Sequence, residues 1–257
     1  SLAREFVQER ISLKLLFLPN AVQEGVDLLA QAQSRGTDAF LLTVAGEEGD
    51  LAERYGQLLE ELESPALFLL REIEGLDVPA VIVDEEAGMR ELTRHVLSLG
   101  HERLAYAGGN PSRIEGWLPY RGFAQSLWEQ GLDFPLDWAF SWSLTSEEGR
   151  EQFEGVFGGL DHPTALACAS TKCAAEALQA LREIELSCPQ DVAVVGLGDC
   201  DFSPLLSPRL TTFRFDWDRL GDVAASMIDD VLSGRAADSV SISGELVVRD
   251  SCGANDW

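Results

Sequence analysis

Short apolar runs, each closed by turn residues, alternate along this chain with amphipathic stretches of helical period. LKLLFLP (13–19) precedes a helix predicted over about Ala21–Arg35, and DAFLLTV (38–44) precedes one over about Asp50–Leu62. ALFLL (66–70), AVIVD (80–84), a helix over about Glu86–Leu99 and LAYAGG (104–109) come next. A helix over about Tyr120–Gln130, a short strand near Ala139–Trp142 and a helix over Glu147–Phe157 continue the pattern. ALACAS (165–170), a helix over about Cys173–Ile184, DVAVVGLGD (191–199), a helix over about Trp217–Leu232 and a last strand, ELVVRD (245–250), complete it. Near-continuous apolar strands separated by helices imply an α/β protein whose sheets are mainly parallel and covered on both faces. The strands are too many for one small open sheet, so two lobes are expected. In Thr145-Ser146-Glu147-Glu148 a Thr cap with Glu three residues on marks a helix start, while Gly100 and Gly131 mark helix ends.

Composition narrows the function classes. The chain has 257 residues, 46% of them hydrophobic, with no apolar run long enough for a membrane span and no signal-peptide pattern at Ser1. A cytoplasmic protein with no membrane contact is expected. Cysteines at 168, 173, 188, 200 and 252 lack metal-site spacing and read as reduced thiols. A net charge of −25 argues against direct DNA binding by this chain, because duplex binding depends on clustered Lys and Arg. AGGN and GLGD are not GxGxxG loops, there is no GxxxxGK[ST], and only three His are present. Neither catalysis nor a cofactor is expected.

Four long strings carry a family likeness: VPAVIVDEEAGMRELTRHVLSLGHERLAYAGG (78–109), YRGFAQSLWEQGL (120–132), PTALACASTKCAAEALQALREIEL (163–186) and CPQDVAVVGLGDCDFSPLLSPRLTTFR (188–214). With the terminal ELVVRDSCG, they resemble the regulatory domain of LacI/GalR transcription regulators, itself similar to periplasmic sugar-binding proteins. The resemblance implies a two-lobed periplasmic-binding-protein-like fold with three interlobe crossovers. It places 1–84 plus about 214–236 in one lobe and about 85–213 plus 237–257 in the other. It further implies a small-molecule effector between the lobes, a homodimer, and DNA contact only through a separate N-terminal helix-turn-helix module. That module and the family's first strand do not occur in this sequence, for which truncation or disorder is the expected reason and a degenerate gene the alternative. The same fold also serves as a sensor joined to another output, such as a diguanylate cyclase, and a ligand-free dimerisation or protein-interaction platform is a further reading.

The resemblance also points to a ligand site and to departures from it. Where sugar-sensing relatives carry an Asn-Asp pair after the strand matching ALACAS, this chain has Ser170 and Thr171. Their later acidic pair corresponds to Gly198 and Asp199, and their Arg to Pro119. Losing such paired hydrogen-bonding groups disfavours an ordinary hydroxyl-rich sugar. The candidate ligand-binding set is Arg113, Trp117, Trp142, Ser170, Thr171 and Asp199, with Trp142 equally readable as a core or surface aromatic. Arg121 reads as a surface ion pair, and Asp201 as a turn or cap residue. Lys172 and Cys173, opening a helix, allow an anionic effector or a redox-responsive Cys173.

Overall fold

The computed structural model describes residues 22–44, 51–108, 114–140, 144, 146–159 and 161–254. In chain order the elements are α1 (Val22–Ser34), β1 (Phe40–Thr43), α2 (Leu51–Glu60), β2 (Ala66–Leu70), β3 (Ala80–Val83), α3 (Glu85–Ser98), β4 (Leu104–Ala107) and α4 (Ile114–Glu129). They continue with β5 (Ala139–Phe140), α5 (Glu147–Phe157), β6 (Ala165–Cys168), α6 (Thr171–Glu183), β7 (Ala193–Leu197), β8 (Thr211–Phe215), α7 (Trp217–Leu232), β9 (Val240–Ile242) and β10 (Gly244–Val247). The strand expected at LKLLFLP lies outside the described residues.

Two compact units divide the chain: residues 1–83 with 216–243, and residues 84–215 with 244–257. The chain therefore passes between them three times. The first unit holds a four-stranded sheet in the order β1-β2-β3-β9, parallel throughout. Its strands read as unbroken apolar runs because both faces are covered: Leu67, Phe68 and Val81 are fully buried. The Tyr55 hydroxyl on α2 donates to the Thr43 carbonyl at 2.9 Å, tying helix to strand end. Residues 237–243, expected in the second lobe, belong to this unit, because Val240–Ile242 pairs beside Val81–Val83 and extends its sheet.

The second unit is built on six strands in the order β10-β8-β7-β6-β4-β5, parallel except for β10 against β8. Small residues on β4 and β6 let helices approach closely. On one face Phe140, Phe153 and Phe157 pack with Ala174, Ala177 and Leu181 of α6. On the other, Gly88 of α3 sits against Phe213 and Leu197, where an added Cβ would lie 2.8 Å and 2.9 Å from their side chains. Gly122 of α4 meets α3 so closely that a Cβ would stand 2.3 Å from the Glu86 carbonyl oxygen.

Three local expectations need correction. Helix α4 begins at Ile114, six residues before the predicted start, and carries Pro119 inside it. Proline removes one backbone donor near the helix start, and the packing of Tyr120 and Phe123 on Tyr106 holds the turn together regardless. The cap of α5 is Ser146, whose side chain accepts from Gly149 N at 3.0 Å, so the first helical turn is set one residue later than a Thr145 cap requires. Strands β8 and β9 were not foreseen, since TTFRF and VSI are short and mix Thr, Ser and Arg with apolar residues. Gly100 and Gly131 do end helices, with φ of 90° and 69° that only glycine adopts readily.

Candidate functional site

Open α/β sheets present ligands beyond the carboxyl ends of their strands. In the second unit those ends are Ala107 of β4, Cys168 of β6 and Leu197 of β7. Gly108 follows β4 under a hard constraint: a Cβ there would fall 2.0 Å from the Tyr106 hydroxyl oxygen. Tyr106 is buried, its hydroxyl donates to the Gly116 carbonyl at 3.3 Å, and burial pushes its pKa well above the usual phenol value.

After β6 the chain turns directly into α6. Ser170 is extended, with φ −157° and ψ 158°, and its hydroxyl accepts from Cys173 N at 3.1 Å as the helix cap. Thr171 is buried, and its hydroxyl donates to the Gly198 carbonyl at 2.8 Å, which joins the β6 and β7 ends. Gly198 has φ 79°, a left-handed turn that L side chains rarely adopt. Lys172 pairs with Glu176 one turn along α6 and is exposed, so its charge is already balanced.

Asp199 is committed elsewhere than expected. Both of its carboxylate oxygens accept from Arg249, at 3.1 Å and 2.8 Å, and the two side chains are 7% and 13% exposed. Arg249 also donates to the Leu210 carbonyl at 2.7 Å and to the Thr212 hydroxyl at 3.0 Å. Burial opposes the charged carboxyl, but hydrogen bonds from Arg249 and Ser203 and the Arg249 charge outweigh it and hold the pKa below the ordinary value. The Asp199 carboxylate thus completes an ion pair with Arg249, largely withdrawn from water.

Trp117 lies on α4, half-buried, 6.3 Å from Tyr120 between ring centroids, and Tyr120 is 5.4 Å from Tyr106. It joins an aromatic group rather than standing in a loop. Arg113 and Trp142 lie outside the described residues. Arg121 pairs with Glu86 across α3 and α4, its Nε donating at 2.7 Å. Asp201 is exposed in the turn after β7. Ser170, Thr171 and Asp199 therefore cluster around the β6 and β7 ends, with only the exposed Ser170 facing water.

Sequence reasoning missed Arg249 and Tyr106. The first was the lone cation of ELVVRD, and the second a polar letter within LAYA. Among the described residues no group of three or more His, Cys, Asp or Glu stands together as a metal site, and no helix is long and apolar enough to cross a membrane.

A family model described as "Periplasmic binding protein-like domain" matches residues 93–252. The repressor PurR of Mannheimia succiniciproducens is 28% identical over 160 residues, which cover 62% of this chain and 48% of that protein. The chain thus spans about half the length of the curated relatives it matches. Among solved structures, a LacI family transcriptional regulator from Mycobacterium smegmatis superposes with a TM-score of 0.80 at 26% identity, covering 97% of this chain and 91% of that one. A regulator described as a CelR–cellobiose complex gives 0.82 at 21% identity, covering 97% and 76%.

Proposed function

The chain belongs to the periplasmic binding protein-like domain family, as an effector-binding domain of the LacI/GalR kind, and on that premise we propose that it senses a small molecule on behalf of a transcription repressor. The observation that supports this reading is the span of the family match, 93–252, which runs through every strand of the second unit's sheet. The ligand is taken at the carboxyl edge of that sheet. It acts by favouring one conformation of the domain, without chemical turnover. DNA contact belongs to a separate module, since the chain itself carries a net charge of −25. A homodimer completes the arrangement.

The residues at that edge bear on the ligand's chemistry. Thr171 and Asp199 already have internal partners, so they offer no paired groups for adjacent hydroxyls. The exposed Ser170 hydroxyl and the aromatic group around Trp117 and Tyr120 suit a ligand with an apolar face and few hydroxyls. A thermal-shift panel of monosaccharides, disaccharides, nucleosides, nucleobases, sugar phosphates and amino acids tests this. A true ligand at a hundredfold excess over Kd stabilises the folded chain by about 2.7 kcal/mol. Flat traces across the panel at millimolar concentration overturn the sensing role.

A second reading, a ligand-free dimerisation platform, is favoured by the closed Asp199–Arg249 pair. It requires flat traces together with a dimer by light scattering at tens of micromolar protein. A monomer there counts against the dimer in both readings.

A further inference from the structure

We propose that Cys168 and Cys173 form a redox-active dithiol, closing to a disulfide when the more accessible thiol meets a hydroperoxide. Cys168 is the last residue of β6 and fully buried, whereas Cys173, in the first turn of α6, is half-buried. Both are free thiols, and both pack on the same apolar cluster, Cys168 within it and Cys173 against it. Cys173 Sγ also donates to the Ala107 carbonyl at 3.4 Å, and Ala107 is the register partner of Cys168 across β4 and β6. The Cys173 sulfur therefore lies at the strand end that Cys168 occupies.

The remaining thiols have other partners. Cys188 donates to the Ser251 carbonyl at 3.3 Å. Cys252 accepts from Thr211 at 3.2 Å and touches His95 Nε2 at 3.3 Å, and Cys200 contacts Ser203 at 3.4 Å.

Unequal access sets the order of events. The Cys173 sulfur attacks the hydroperoxide, the O–O bond breaks, and the sulfur takes the hydroxyl as a sulfenic acid while water or an alcohol leaves. Burial pushes the Cys168 thiol up and keeps it protonated until this step has occurred. The Cys168 sulfur then displaces hydroxide from the Cys173 sulfur, and the hydroxide departs as water with the Cys168 proton. Two thiols lose two protons and two electrons, and the hydroperoxide gains both. Closure withdraws the Cys173 donor from the Ala107 carbonyl, which keeps its bond from Ala169 N at 2.8 Å. Strand pairing therefore survives oxidation, and a thiol reductant reverses it. The dithiol does not depend on the ligand reading above.

The test treats the whole chain with equimolar hydrogen peroxide, then counts thiols and maps peptides by mass spectrometry. The expected result is a fall from five free thiols to three, a Cys168–Cys173 bond in the peptide map, and full recovery with dithiothreitol. Cys173→Ala abolishes the two-thiol loss, and Cys168→Ala stops the reaction at a Cys173 sulfenic acid that dimedone labels. A bond mapped to another pair, or a wild-type chain that keeps its thiols or accumulates Cys173 sulfenic acid without a bond, overturns the proposal. So does a folded Cys168→Ala chain that dimedone leaves unlabelled. Circular dichroism confirms folding of each variant, and if one fails to fold the wild-type map decides alone.

Discussion

Replacing Arg249 by Met isolates the desolvated pair. The substitution keeps the aliphatic stem but leaves the Asp199 carboxylate, 7% exposed, without its cation. It also strips donors from the Leu210 carbonyl and the Thr212 hydroxyl. Breaking one side of a buried pair costs about 3–5 kcal/mol. Asp199→Asn retains shape and leaves Arg249 bonded to Leu210 and Thr212, so a smaller loss, about 1.5–3 kcal/mol, is expected. The double variant removes both charges and should be at least about 1 kcal/mol more stable than Arg249→Met alone, because no unpaired charge stays buried. The pH dependence has a definite sign. In the native chain the Asp199 carboxyl sits below its ordinary value, so its stabilisation is complete above an unfolded pKa of about 3.9 and is lost as pH falls through the folded one. The deficit of Arg249→Met should shrink in acid, as the orphaned carboxylate takes a proton. Urea denaturation followed by circular dichroism reads these differences as midpoint shifts at constant m. A single variant within about 0.5 kcal/mol of the parent, or a double variant no better than Arg249→Met, would refute the claim that this pair is closed and desolvated.

Gly122→Ala drives a methyl into the Glu86 carbonyl, a backbone atom with little room to yield, and should cost about 1–3 kcal/mol; an unchanged melting temperature would mean that α3 and α4 do not meet at this glycine. Ser170→Ala removes the α6 cap and should lower stability by about 1 kcal/mol, read as a urea midpoint, with no loss meaning that the Cys173 amide finds another acceptor. Burial lowers the pKa of both His95 and His101. As pH falls below about 6.5 the unfolded chain takes up protons first and stability drops. The double variant His95→Gln/His101→Gln should flatten that part of the profile, and an unaltered slope would show that neither imidazole is desolvated.

The fold was legible wherever burial left a mark on the residue letters. Strands covered on both faces must be apolar throughout, so ALFLL, AVIV and ALAC announce themselves. Strand β8 hides its burial behind hydroxyls. Thr211 and Thr212 are fully buried, yet Thr211 accepts from Arg249 N at 2.9 Å and bonds the Cys252 sulfur, while Thr212 accepts from the Arg249 guanidinium. Those partners lie about forty residues away in sequence, between 37 and 41. A similar distance effect misplaced the start of α4: Pro119 suggests a break, but Tyr106, on the neighbouring strand, supplies the packing that carries the helix through it.

The placement of the candidate residues was legible in the sequence, and their internal partners were not. Ser170, Thr171 and Asp199 follow strand ends, which is where an α/β sheet gathers ligand-binding groups. Whether such groups are available depends on what else reaches them. Thr171 meets a carbonyl 27 residues later and Asp199 a guanidinium 50 residues later, each brought in by a different strand. An acid at a strand end therefore reads as a ligand anchor until a cation arrives from a second element, and here Arg249, just past β10, is that cation. Adjacent ligand hydroxyls would have to break an ion pair whose separation leaves a charge buried. Under the proposed sensing function, ligand selection at this edge falls to the Ser170 hydroxyl, backbone groups and the aromatic rings of Trp117 and Tyr120, which favour flat or apolar surfaces over paired hydroxyls.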